Sequence, residues 1–324
     1  MHIPDGFLDA RVAITTGAFS ATGLGAALRH LGKHLQSRQI PLIGLSAAFI
    51  FVAQMINFPV AGGTSGHLIG AALAVVLLGP SAAIIVISSV LIIQALIFAD
   101  GGLLSVGANI LNMALVAPVF AYWAYRMVKR FLRGHRGQLI AASLAAWIST
   151  VVASIFCAGE LALSHTVPWK LVFPAMAGIH SLVGIGESLI TMLVIAAIQK
   201  TRPELLESQN GNAQNPERKI VAIYGIVIIL GLLILVVPFA SSLPDGLDRV
   251  ARTLGFEYKA AQQYPALLKD YAFPGMLSSG YATIAAGFAG AALVFALSFL
   301  LARVLIPKHK PAHPTSDRAE SHAS

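Results

Sequence analysis

The first two residues, Met1 and His2, carry donors that grip a metal ion without any further motif. A free amine on Met1 and the amide nitrogen of His2 close a five-membered chelate ring. That amide and the His2 Nδ1 close a six-membered one. Three corners of a square plane are then filled. A histidine at position three would supply all four corners from a single peptide. A histidine at position two leaves one vacant, and a distant side chain must complete it. Planar nitrogen ligation favours Ni(II) and Cu(II) over Zn(II), which prefers a tetrahedron.

His67 is the candidate for that fourth corner. It ends the run Ala61-Gly62-Gly63-Thr64-Ser65-Gly66-His67. The glycines permit a tight turn and close backbone approach. Thr64 and Ser65 can cap a following helix or hydrogen-bond a metal-bound imidazole. Taken alone, His67 reads more readily as an interfacial polar residue at a helix start. Its placement on the same side of a membrane as Met1-His2, argued below, favours the ligand.

Two further groups have chemical content. Asp100-Gly101-Gly102 leads through Ser105 to Asn109. Asp100 sets a carboxylate beside an apolar core, and Asn109, about two turns into a helix, is not expected to face lipid. They read as support around the metal ligands or a loop closing over them, and as readily as a loop clamp with helix capping. His180 and Glu187 share one face of one helix. They read as a functional intramembrane pair or as plain interhelical hydrogen bonding.

The elements that must position these residues are membrane helices. The chain is 56% hydrophobic and 11% charged, and its mean hydropathy is +0.76. No water-soluble globule has this balance. Long continuous apolar runs specify an all-α, polytopic helical bundle in the plasma (inner) membrane, not a barrel. About nine spans are expected, at roughly 9–30, 40–57, 67–79, 82–99, 103–127, 138–162, 174–199, 220–240 and 274–306, against a spanning length of about 20 residues. The third is short and, after its glycines, reads as partly re-entrant.

Charge checks the count. Lys and Arg concentrate in Arg29–Arg38, Arg126–Arg136, Lys200–Lys219 and Arg303–Lys310. Nine spans with an extracytoplasmic N-terminus put all four of these segments in the cytoplasm, as the positive-inside rule requires. They also put Met1-His2 and His67 on one side. The net charge of +8 is thereby read as basic loops, not as a nucleic-acid surface. The start of the chain has no basic n-region, so no signal peptide is expected, and Pro4-Asp5-Gly6 is turn chemistry.

The expected organisation is a seven-helix domain over 1–200, a polar linker over 201–219, a two-helix module over 220–310 and a polar tail over 311–324. The module's Pro244-Asp245-Gly246-Leu247-Asp248 echoes Pro4-Asp5-Gly6, which reads as recurrent turn chemistry and not as a repeat. In the first span Gly17, Ala21 and Gly25 form a small-residue stripe suited to close helix packing, within this chain or against a partner. The single Cys157 allows no intrachain disulfide. No Gly-x-x-x-x-Gly-Lys-Ser/Thr run occurs, so no P-loop ATPase is encoded and no enzyme activity is expected.

Met1-His-Ile-Pro-Asp-Gly-Phe-Leu8, Gly62-Gly-Thr-Ser-Gly-His-Leu68, Asp100 through Asn109, and His180 through Glu187 together resemble the CbiM/NikM family. These are substrate-binding (S) subunits of cobalt and nickel energy-coupling-factor (ECF) transporters. The resemblance covers about residues 1–200, and the region after 220 resembles the family's small NikN/CbiN companion, fused in one chain. There the usual Pro-Asp-Gly-Leu-Glu ends in Asp248. The resemblance implies metal capture from outside by Met1, His2 and His67. It also implies a transmembrane coupling (T) subunit and cytoplasmic ATPases as partners. The substrate would be Ni2+, with Co2+ the alternative.

Two other classes compete. A stand-alone secondary nickel or cobalt permease should carry a His-rich intramembrane helix of the His-x4-Asp-His kind, and none is present. A rhomboid-like serine protease would use Ser65 and His180 as a dyad. It leaves Met1-His2 unexplained and puts its serine in a surface turn.

Overall fold

The computed structural model describes residues 1–207, 218–261, 264–276 and 278–305. Most of the expected linker, and all of the 311–324 tail, lie outside them. The described chain is mainly helical. In order the helices are α1 (Ala10–His34), α2 (Ile40–Met55), α3 (Ala71–Leu78), α4 (Pro80–Phe98), α5 (Val106–Phe131), α6 (Gly134–Leu163), α7 (Trp169–Thr201), α8 (Arg218–Leu235), α9 (Gly246–Leu254) and α10 (Ser279–Leu305). A two-stranded antiparallel hairpin, β1 (Phe58–Val60) and β2 (Thr64–Gly66), lies between α2 and α3.

Local chemistry sets the helix ends that matter for the site. Asp9 caps α1 by accepting from the Val12 N–H at 2.8 Å, and Lys33 and His34 complement the helix dipole in its last turn. Gly70 and Gly79, at φ 80° and 81°, bracket α3. Both positions demand left-handed backbone, so the third apolar run cannot extend as one helix. α4 closes in a π-helical turn over Gln94–Phe98, and α5 contains another over Ile110–Val116. Such widened turns redirect side chains and recur at functional positions.

Among the described residues six helices are long and apolar enough to cross a membrane: α4, α5, α6, α7, the segment Ile220–Phe239 and α10. α1 is long, but Thr15, Thr16, Ser20 and Thr22 dilute its apolar character. α2 has 16 residues and α3 has 8, against the about 20 a bilayer asks for. The expected third span, 67–79, is therefore helical only over Ala71–Leu78. Residues 67–70, which follow β2, have no regular secondary structure.

α6 and α7 form an antiparallel pair along their length, and α5 packs on α6. α2 is apolar and buried around most of its circumference, as expected of a central helix. The last helix, α10, packs against α2 and α4, so the C-terminal module is built onto the bundle.

Candidate functional site

The first eight residues do not project into solvent. Met1, Ile3 and Phe7 are buried with the bundle core, and His2 and Asp5 are buried beside them. Backbone groups taken inside must find partners, and the Asp100–Asn109 loop supplies them. Asn109 Oδ1 accepts from the Ile3 N–H at 2.8 Å, and Asn109 Nδ2 donates to the Ile3 carbonyl at 3.1 Å. The Gly102 N–H donates to the same carbonyl at 2.8 Å. Asp5 accepts from the N–H groups of Leu103, Leu104 and Ser105 at 3.1, 2.9 and 3.2 Å. A Cβ on Gly102 would sit 2.0 Å from Asp5 Oδ1. The glycine pair thus exists to let the N-terminal segment approach.

This cradle delivers the Met1 nitrogen to 3.0 Å from His67 Nε2. His67 Nδ1 lies 3.3 Å from the Leu68 carbonyl. A carbonyl only accepts, so Nδ1 carries the proton and Nε2 presents its lone pair to Met1. The His2 ring stacks on His67 with centroids 5.0 Å apart. The His2 N–H finds no acceptor among the described residues. Two nitrogens about 90° apart on one metal, each at about 2.0–2.1 Å, are separated by about 2.8–3.0 Å. The Met1–His67 separation matches that spacing. Among the described residues no group of three or more His, Cys, Asp and Glu side chains converges as a metal site. Any metal held here depends on backbone nitrogen.

Three residues of the site, Asp245, Gln94 and Tyr271, were missed in the sequence. Asp245 Oδ2 accepts from the Met1 ammonium at 2.6 Å. Gln94 Oε1 faces His2 Nε2 at 3.1 Å. The Tyr271 hydroxyl donates to Asp100 Oδ2 at 2.6 Å, while Asp100 Oδ1 lies 3.2 Å from His2 Nδ1. Asp245 and Tyr271 both belong to the C-terminal module. Asp245 sits in the Pro-Asp-Gly echo read as turn chemistry alone; it does cap α9, accepting from Asp248 N–H at 2.8 Å, and its second oxygen reaches Met1. Gln94 had a usable signal, a polar side chain deep in an apolar span. Tyr271 had none.

Charge follows from these contacts. Burial works to strip the Met1 amine of its proton, but the Asp245 carboxylate outweighs it and raises the pKa above its ordinary value. Burial would raise the Asp245 carboxyl, yet the ammonium holds it well below the usual range. Burial lowers His2 against the pull of Asp100, and Asp248 is pushed up to about 7 by burial and by Asp245.

The remaining sequence candidates sit around this centre in structural roles. The Thr64 and Ser65 hydroxyls donate to the Pro244 and Leu243 carbonyls at 3.1 and 2.7 Å, and so anchor the module's turn instead of touching an imidazole. His180 Nδ1 lies 2.9 Å from the Met176 carbonyl, and a Cβ on Gly246 would come within 2.8 Å of its Nε2. The turn carrying Asp245 therefore rests on His180. Glu187 accepts from the Gly70 N–H at 2.9 Å and the Thr150 hydroxyl at 2.7 Å, capping α3. His180 and Glu187 share a face without pairing. Ser65 and His180 are each engaged elsewhere, which removes the support for a protease dyad.

Comparison with known proteins identifies the family of the chain. Residues 2–205 match the family model of the cobalt uptake substrate-specific transmembrane region, and residues 218–307 match the PDGLE domain. A relative from Archaeoglobus fulgidus, named putative fused nickel transport protein NikMN, is 38% identical over 94% of this chain and 98% of its own. The fused nickel transport protein NikMN of Rhodobacter capsulatus is 36% identical over 71% of each chain. A crystal structure described as a truncated transition metal transporter superposes with a TM-score of 0.56 at 33% identity, covering 62% of this chain and 99% of that one. The chain is a multi-pass membrane protein of the cobalt uptake substrate-specific transmembrane family, with a PDGLE domain at its C-terminal end.

Proposed function

We propose that the chain is the metal-capturing subunit of an ATP-driven uptake transporter, taking one Ni2+ or Co2+ ion from the outer side. The observation that carries this reading is the Met1 amine 3.0 Å from His67 Nε2. In this reading Met1 binds through its amine, His2 through its amide and Nδ1, and His67 through Nε2. Four nitrogens in a plane suit low-spin Ni(II), and nickel is the preferred substrate. The amide and amine lose protons as the metal enters.

The chain would cross the membrane about nine times with its N-terminus outside, counting α1, α2 and α3 as spans within the bundle. α2 and α3 are largely buried in the bundle, and the Thr16, Ser20 and Thr22 hydroxyls of α1 donate to backbone carbonyls. Energy would come from a transmembrane coupling subunit and cytoplasmic ATPases, because the chain has no P-loop. The small residues Gly17, Ala21 and Gly25 on α1 offer a docking face.

Proteoliposomes test the reading. The untagged chain alone should bind about one nickel ion per chain without ATP-dependent accumulation. Accumulation should appear when coupling and ATPase subunits are added. Uphill uptake by the lone chain, driven by a proton or sodium gradient, would establish a secondary permease instead.

A further inference from the structure

We propose that Tyr271, on the fused C-terminal module, fixes which ring nitrogen of His2 is free to bind metal. The proposal rests on the metal-capture reading and specifies how the module serves it. Four side chains close a ring of contacts. His2 Nε2 faces Gln94 Oε1 at 3.1 Å, Gln94 Nε2 faces the Tyr271 hydroxyl at 3.1 Å, that hydroxyl faces Asp100 Oδ2 at 2.6 Å, and Asp100 Oδ1 lies 3.2 Å from His2 Nδ1.

The proton positions follow in sequence. An ionised carboxylate only accepts, so the phenol hydrogen points at Asp100. The phenol oxygen is then free to accept, and it takes the Gln94 amino group. This turns the Gln94 carbonyl oxygen towards His2. An amide oxygen also only accepts, so the imidazole proton sits on Nε2. Nδ1 keeps its lone pair, and Nδ1 is the nitrogen a chelate with the His2 amide requires.

The competing arrangement is close at hand. Asp100 Oδ1 near Nδ1 would stabilise an Nδ1–H tautomer, which cannot chelate. Adopting it would turn the Gln94 amino group towards Nε2 and its oxygen towards the phenol. The phenol would then donate to Gln94, leaving two oxygens 2.6 Å apart with no hydrogen between them. The favoured state leaves only the His2 Nδ1–Asp100 Oδ1 pair, at 3.2 Å, without a hydrogen; the tighter oxygen pair made by Tyr271, at 2.6 Å, disfavours the alternative.

Tyr271 is held for this task. Its ring stacks on Phe98 at 4.7 Å and tilts against Phe51 at 6.1 Å. The Leu268 N–H donates to the Ile97 carbonyl at 2.8 Å, tying its loop to the end of α4. Asp270 and Tyr271 sit at φ 53° and 55°, a region non-glycine residues rarely occupy unless their surroundings hold them there.

The test uses the full-length, untagged, metal-free chain labelled with 15N-histidine, whose ring nitrogen shifts report the tautomer. The wild type should show His2 protonated at Nε2. Tyr271→Phe removes only the hydroxyl; it should populate the Nδ1–H form and weaken nickel binding about tenfold, within the range for a residue acting through a metal ligand. Adding Gln94→Glu to Tyr271→Phe should restore both, because a carboxylate accepts through either oxygen and cannot flip. A residue that merely packs would not be rescued in this way. An Nδ1–H tautomer in the wild type, an unchanged tautomer in Tyr271→Phe, or failure of the double variant to recover would each overturn the proposal. A wild type with the expected tautomer but no stoichiometric nickel would instead sink the metal-capture reading.

Discussion

In the proposed site Met1 contributes a main-chain amine, and that would make the site sensitive to changes that leave every side chain intact. Acetylating Met1, or adding one residue before it, replaces the amine with a peptide bond that cannot close the first chelate ring. Nickel binding by the purified protein, measured calorimetrically, should disappear while the helical circular dichroism is unchanged. His2→Ala and His67→Ala should each abolish binding, whereas His180→Ala should weaken it only through the turn it supports. Normal binding by His67→Ala would show the fourth ligand to be misassigned. Acid should weaken binding for a related reason. Asp245 raises the pKa of the Met1 ammonium despite its burial, so the proton is retained through neutrality and the metal must displace it. Displaced protons appear on the product side, so affinity rises with pH and falls in acid. The His2 imidazole, whose pKa is lowered by burial, is neutral there and releases none, whereas the His2 amide in the proposed chelate does. Affinity unchanged between about pH 6 and pH 8 would argue against amine and amide ligation.

The loop from Asp100 to Asn109 is the element on which the arrangement turns. It satisfies the buried backbone of Ile3 and the carboxylate of Asp5 together. Asn109→Ala would strand the Ile3 N–H, at a cost of about 1–3 kcal/mol for an unsatisfied buried donor. Gly102→Ala would drive a methyl into Asp5. Both variants should keep the helical bundle and lose nickel binding, as melting curves and titrations of the same samples would show; intact binding in Gly102→Ala would mean that the segment seats some other way. How much of this was legible depends on the range of the interaction. The membrane bundle, the ligand candidates and the importance of the Asp-Gly-Gly run follow from local composition, glycine chemistry and shared topology. The shortness of α3 was foreshadowed by the glycines before it, though the hairpin from Phe58 to Gly66 was not. What local sequence could not reveal were pairings across the chain. Asp245 reads as a helix cap until it is seen 2.6 Å from Met1. Tyr271 has no pattern around it, because its partners lie on α4 and in the loop that follows.

At the scale of the whole molecule, the N-terminal segment and the loop joining the long helices of the C-terminal module meet over one site. The module's last helix is fixed on α2 and α4, and its outer loop reaches Met1 through Asp245 and Asp100 through Tyr271. Ala261 also pairs with Asp5. A covering segment of this kind has two effects on a bound cation. Its carboxylate offsets positive charge in a site from which water is excluded, and its contacts must part before the ion can enter or leave. Removing residues 208–324 should therefore do more than lower affinity. The remaining chain keeps Met1, His2 and His67, but its amine loses the Asp245 partner and its Asn109 cradle is left uncovered. We expect weaker nickel binding with faster association and faster still dissociation, read by stopped-flow mixing with a chromophoric chelator. Asp245→Asn in the full chain separates the two effects, since it keeps the cover and the hydrogen-bond acceptor but removes the charge. It should lower affinity with little change in association rate. If the truncated chain instead bound and released nickel at the rates of the full protein, the module would have no part in holding the ion, and the contacts of Asp245 and Tyr271 would serve folding alone.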